Sequence, residues 1–217
     1  PVSGLAQYER TADGIAVLTL SDPPANTYSY DMMRELDARI LEARMDDGVH
    51  VLVLRGAGEK FFCAGADIKM LQSVTPRFKY FFCLHANETL SRLEHTPKLV
   101  IAAMNGHTVG GGLEVAMAAD IRIARQGSGK VGLPEVTLGV LPGTGGTQRL
   151  TRLVGKSRAI ELMAEGRNFD MDEAAELGIV NKVYGADSMD AFMDQVLEYA
   201  RQFTTPGKAA MAVGHIK

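Results

Sequence analysis

Residues 99–104, Leu-Val-Ile-Ala-Ala-Met, form an unbroken apolar run. Asn105-Gly106-His107-Thr108-Val109 follow, and then three consecutive glycines, Gly110, Gly111 and Gly112, open onto Leu113-Glu114-Val115-Ala116-Met117-Ala118-Ala119. The run reads as a buried strand and 113–119 as a helix. Glycine inside a helix costs roughly 1 kcal/mol against alanine, so three together imply a backbone that must pass close to something. The junction is also a helix N-terminus, where unpaired N–H groups and the positive end of the dipole point outward. Such N–H groups can hold a developing oxyanion, and Glu114 stands one turn into the helix, within reach of the same ligand. This stretch reads as half of an active site.

The remaining pattern is strand, turn, helix. Strands are expected at 15–20, 49–54, 120–124 and 179–183. Helices are expected at 31–45 with Asp31 as cap, from Thr75-Pro76 to about 94, and at 147–154, 156–165, 171–177 and 189–202. No linker, low-complexity tract or convincing repeat divides the chain. The reading is one α/β domain, and 217 residues suffice for its core.

A second junction of small residues lies at Phe61-Phe62-Cys63-Ala64-Gly65-Ala66-Asp67-Ile68-Lys69, again passing from apolar chain to a helix start. Two N–H groups converging on one carbonyl oxygen make an oxyanion hole. On the residues alone, a tight structural turn remains the other reading of each junction. Glu114 and Glu135 are the two carboxylates set in apolar or glycine-rich surroundings. Neighbouring carboxylates push their pKa values apart and can divide acid and base roles over one water. A solvent-facing or salt-bridged glutamate is the competing reading for both.

Other chemistries fit poorly. Gly155-Lys156-Ser157 imitates a phosphate loop, but the glycine required five positions earlier is Leu150, and Lys156 reads as an exposed helix residue. The glycines at 106–111 lack the dinucleotide-binding pattern. The five histidines show no metal-ligand spacing, so no metal is expected. Ser3, Ser29 and the other serines sit in no nucleophile elbow, and Cys63 reads as a packed residue. A net charge of −3 gives no general attraction to nucleic acid or anionic membranes. No apolar run reaches the ~18 residues of a membrane span. Two cysteines without ligand spacing suggest reduced thiols. A cytoplasmic location is expected, or an organelle matrix if a targeting sequence preceded Pro1.

Three motifs together resemble the crotonase family, and within it the enoyl-CoA hydratases: Phe-Cys-Ala-Gly-Ala-Asp-Ile-Lys at 62–69, Asn-Gly-His-Thr-Val-Gly-Gly-Gly-Leu-Glu at 105–114, and Gly-Leu-Pro-Glu through Leu-Pro-Gly-Thr-Gly-Gly-Thr-Gln-Arg-Leu at 132–150. The resemblance spans about 15–200. It implies a spiral of strand-strand-helix units with flanking helices, and a core domain over 1–200. It further implies that 201–217 begins a C-terminal helical region whose later helices close the acyl pocket in relatives and are missing from this sequence.

The same resemblance implies an oxyanion hole from the N–H groups of Ala66 and Gly111. Glu114 would act mainly on water and Glu135 mainly on C2 of an enoyl-CoA thioester. Gly143 would help hold the water, and Ala64, Asp67, Ile68 and Lys69 would line the coenzyme A site. Coenzyme A would arrive as part of the substrate, with no separate cofactor, and the protein would be a homotrimer or hexamer. An isomerase, another CoA-ester enzyme, and a non-catalytic binding member of the family are the alternatives. Met70, Leu71, Val74, Phe78, Phe81 and Phe82 stand where relatives shape the acyl pocket, or simply pack their helix.

Overall fold

The computed structural model describes residues 4–217; Pro1 and Ser3 lie outside the described residues. The larger sheet contains β1 (Ala6–Arg10), β2 (Ile15–Leu20), β3 (Val51–Gly56), β5 (Leu99–Met104), β7 (Ile121–Arg125) and β10 (Lys182–Tyr184), in that spatial order. The smaller sheet orders β4 (Phe61–Cys63), β6 (His107–Val109), β8 (Val131–Gly132) and β9 (Asn168–Phe169). Pairing is parallel except at β1–β2 and β8–β9. The chain therefore climbs in turns: β3 then β4, β5 then β6, β7 then β8, each pair crossing from the large sheet to the small one.

Helices close these turns. They are α1 (Tyr30–Met45), α2 (Ile68–Ser73), α3 (Pro76–Glu94), α4 (Gly111–Met117), α5 (Gly146–Val154), α6 (Lys156–Glu165), α7 (Met171–Glu176), α8 (Met189–Arg201) and α9 (Ala210–Gly214). The expected strand-strand-helix spiral is the observed fold.

The large sheet is covered on both faces, which is why β3 and β5 read as continuous apolar runs rather than alternating ones. Val51, Val53, Ile101, Ala103 and Ile123 face α8, packing against Phe192, Met193 and Val196. Leu52, Leu54, Val100, Ala102 and Met104 face the opposite way, toward the layer containing α1, α3 and α4.

Asparagines pin the corners between sheets. Asn105 Oδ1 accepts from Gly56 N at 2.9 Å, and its Nδ2 donates to the carbonyls of Gly58 (3.0 Å) and Phe61 (3.3 Å). Asn26 Nδ2 donates to Ala57 O and Phe61 O, both at 2.9 Å.

Several expected boundaries are corrected. The cap of α1 is Ser29, whose side chain accepts from Met32 N, and Asp31 lies in the first turn. The second strand runs 51–56 rather than 49–54, because Gly56 still pairs with Leu20. Residues 179–181 are not strand: Ile179 N and Val180 N bond back to Ala174 O after the turn at Gly178. The helix expected at 113–119 spans 111–117, with two of the glycines inside its first turn.

Candidate active site

The two junctions are built against each other. Gly65 adopts φ +93°, and a Cβ there would lie 3.0 Å from Gly111 N. Only glycine keeps that backbone shape at little cost while leaving the Gly111 N–H open. A Cβ at Gly112 would overlap the Cys63 carbonyl, so the start of α4 rests directly on the chain leaving β4. The Ala66 segment is fixed from the other side: Tyr28 N donates to Gly65 O at 2.9 Å and Asp67 N donates to Tyr28 O at 3.0 Å. Among the described residues, the N–H groups of Ala66 and Gly111 donate to no protein acceptor. Both residues line one cavity of about 510 Å³, together with Glu114 and Glu135.

Glu114 projects from the first turn of α4 and is 2% exposed. Its Oε1 accepts from Thr144 N at 2.8 Å and from Gly146 N at 2.7 Å. The loop supplying those amides is held from behind. Asn87 Nδ2 donates to Gly143 O at 2.8 Å, and Arg149 donates to Thr144 O at 3.1 Å while pairing with Glu94 at 2.7 Å. Burial raises the Glu114 pKa, against the lowering effect of the two amides, the Thr144 hydroxyl and Arg149.

Glu135 opens a short 3-10 helix (Glu135–Leu138), and among the described residues neither of its buried carboxyl oxygens has a hydrogen-bond partner. Burial first, with a further contribution from the Glu114 charge, pushes it up to about 7. A carboxyl poised there exchanges protons readily near neutrality. The two glutamates thus differ: one is fixed by amides, the other is free to reach a ligand.

Ala64, Ile68 and Gly143 also line the cavity. Asp67 and Lys69 are not in its lining. The Asp67 carboxylate caps α2, accepting from Lys69 N at 2.9 Å, and Lys69 is exposed. Of the aromatic and aliphatic residues expected near an acyl pocket, Leu71 and Phe82 reach the cavity, whereas Phe78 and Phe81 are exposed. Cys63 is buried, and burial pushes its thiol up to about 12, which leaves it a packed thiol. Lys156 is exposed at the start of α6.

Among the lining residues to which the sequence reading gave no role are Tyr28 and Thr144. Tyr28 sits in a loop with no periodicity to mark it, and Thr144 lay inside a recognised motif without a role of its own. Their hydroxyl oxygens are 3.0 Å apart. Among the described residues, no helix is long and apolar enough to cross a membrane.

A family described as enoyl-CoA hydratase/isomerase matches residues 10–215. The short-chain-enoyl-CoA hydratase of Clostridium acetobutylicum is 45% identical over 170 residues, covering 78% of this chain and 65% of that protein. The chain thus spans a little under two thirds of the length of that relative. The crotonyl-CoA hydratase of Syntrophomonas wolfei is 37% identical over 91% of this chain and 75% of its own. A crystal structure of an enoyl-CoA hydratase from Geobacillus kaustophilus superposes with a TM-score of 0.92 at 42% identity, covering 99% of this chain and 79% of that one.

Proposed function

The chain belongs to the enoyl-CoA hydratase/isomerase, or crotonase, family, and on that premise we propose that it hydrates an enoyl-CoA thioester across its 2,3-double bond and catalyses the reverse dehydration. One observation carries the reading: two buried carboxyls, differently held, share a cavity with two unpaired backbone N–H groups. The thioester oxygen would sit between Ala66 N and Gly111 N. Fixed donors aimed at that oxygen stabilise the enolate more than the ground-state carbonyl, which makes C3 electrophilic.

Glu114, locked by Thr144 N and Gly146 N, takes a proton from water as the water oxygen bonds to C3. Glu135, with its pKa near 7, delivers a proton to C2 as the enolate collapses. The water then spans the two carboxyls, with Gly143 beside it. The product gains a hydroxyl at C3 and a hydrogen at C2, one water in all, and the two carboxyls exchange protons with solvent to reset. Because they interact, their titration belongs to the pair. Coenzyme A arrives with the substrate, so the chemistry calls for no separate cofactor.

Retention of both carboxyls favours hydration over double-bond isomerisation, which needs one group to move a proton between carbons. Loss of the conjugated-enoyl absorbance of crotonyl-CoA on adding the protein tests the reading. Binding of crotonyl-CoA without turnover would overturn it in favour of a non-catalytic member of the family. The same reading includes a homotrimer or hexamer, supported by exposed apolar side chains around the cavity mouth, and a location in the cytoplasm or an organelle matrix.

A further inference from the structure

Asn87 stands in the middle of α3, is not part of the cavity lining, and has no part in the chemistry above. Asparagine suits a helix interior poorly, because its side chain competes for backbone groups. Here that competition is directed. Asn87 Nδ2 donates one hydrogen to Cys83 O, a turn back in α3, at 2.9 Å, and the other to Gly143 O at 2.8 Å. Two carbonyl acceptors fix which end of the side-chain amide is the nitrogen, since Oδ1 has no hydrogen to give them.

Gly143 O and Thr144 N are the two ends of one peptide group, and Thr144 N donates to Glu114 Oε1 at 2.8 Å. A hydrogen bond to a peptide oxygen draws density from its nitrogen through the amide resonance, which makes the N–H a stronger donor. The second amide on Glu114, Gly146 N at 2.7 Å, belongs to the peptide whose oxygen is Gly145 O. That oxygen accepts from Gln148 N at 3.1 Å and Arg149 N at 2.9 Å, in the first turn of α5. Helix α5 thus polarises one peptide with its own backbone. Gly143 O lies ahead of the helix, and among the described residues its donor is Asn87, from a different element. Arg149 plays another part. It holds Thr144 O at 3.1 Å, on the peptide whose N–H is that of Gly145, and so anchors the loop without lying on either path to Glu114.

We propose that Asn87, acting through the Gly143–Thr144 peptide, is a positioning residue that strengthens one of the two amides holding Glu114 and keeps that carboxylate ionised and aimed at the attacking water. The inference rests on the hydratase reading for the role of Glu114 as base. With both amides on Oε1, Oε2 is the oxygen left to meet the water. The ionisable groups facing Glu114 are Tyr28 from the segment before α1, Cys83 from α3, Glu135 from the 3-10 helix and Arg149 from α5. Asn87 carries no charge, so its effect on Glu114 travels through the peptide.

Asn87→Ala removes the donor, and the higher helix propensity of alanine favours α3. It is expected to lower kcat for crotonyl-CoA hydration roughly three- to tenfold at neutral pH, the scale of one hydrogen bond, with KM within about twofold. The acid limb of kcat/KM should move to higher pH, because a carboxylate whose donor weakens holds its proton more tightly. In assigned proton–nitrogen correlation spectra of the free protein, the Thr144 amide proton should move upfield while the Gly146 amide stays in place. Asn87→Leu, branched alike but without a donor, should repeat all of these results.

An unmoved Thr144 amide overturns the proposal, and so does an unmoved acid limb in an active protein. A merely structural role would loosen the whole loop, shift both amides together and lower the melting temperature, and that outcome overturns it as well. If the wild-type protein fails to hydrate crotonyl-CoA, the hydratase reading falls. The Thr144 shift in Asn87→Ala then still decides whether Asn87 acts on the amide that holds Glu114. Should Asn87→Ala not fold, Asn87→Leu carries the same measurements.

Discussion

Glu114 and Glu135 share one cavity in unlike surroundings, and the difference sets what each substitution should do. Glutamine at either position keeps size and one oxygen acceptor but removes proton transfer. Each of Glu114→Gln and Glu135→Gln is expected to lower kcat by ~10²–10⁴, with much smaller changes in KM, because the carboxyls act on charge that moves in the transition state. Steady-state kinetics with crotonyl-CoA check this, and near-wild-type turnover would remove that residue from its role.

Glu135 also makes a prediction about stability. Its folded pKa, about 7, lies above the ordinary carboxyl value of 4.5. A raised folded pKa means that its contribution to stability is fully present below about pH 4.5 and is lost as pH rises through about 7. Glu135→Gln should therefore be more stable than wild type at pH 8, by on the order of 1 kcal/mol after solvent screening. The difference should vanish near pH 4. Thermal melts at the two pH values measure it. An equal difference at both would mean that the carboxyl pays no burial penalty.

At the scale of elements, close backbone approach at the two junctions does most to shape the site. Gly65→Ala would force a side chain into φ +93° and bring its Cβ to 3.0 Å from Gly111 N. The expected cost is ~1–2 kcal/mol of stability. Turnover should fall ~10²–10³, the scale of losing one oxyanion donor. Circular dichroism must show an intact fold alongside the kinetic loss, and a folded Gly65→Ala protein with full activity would show that Gly111 N is not a catalytic donor. A proline at Gly111 would be a poorer probe, since a Cβ there overlaps the Tyr28 hydroxyl.

The long strands and helices were legible because each carries four or more periodic or apolar residues. Both glycine junctions and both glutamates were legible because glycine clusters and carboxylates in apolar stretches are locally odd. The small sheet was not, because β8 and β9 are two residues each and β4 and β6 three, too short for any period. β1 escaped for another reason: its outer residues Glu9 and Arg10 are polar and exposed, and only its pairing with β2 makes it a strand. The Tyr28–Thr144 contact joins residues 116 apart in sequence, a proximity that no local pattern encodes.

For the whole molecule, the consequence lies at the mouth of the cavity. The interior walls are set by the segment after β4, the end of β6 and the start of α4, but the outer wall is the segment after Glu135. There Leu138 is 64% and Leu141 66% exposed, with Val136 and Val140 nearby also open. On α3, which lends Lys79, Phe82 and Cys83 to the cavity wall, Tyr80 and Phe81 are likewise exposed. Large apolar side chains gathered on one side of a molecule mark a surface that meets another one. In the proposed trimer or hexamer, a second copy of the chain would cover this side and complete the acyl pocket.

Light scattering should then report a mass of three or six chains. Specific activity should fall on dilution once the assembly dissociates, because a separated chain leaves the thioester site open to water and weakens every electrostatic contact within it. Replacing Tyr80 and Phe81, which lie outside the cavity lining, with aspartate should shift the mass toward the single chain and lower activity together. A monodisperse monomer with full, concentration-independent hydratase activity would mean that one copy closes its own site, and the exposed side chains would then need another partner.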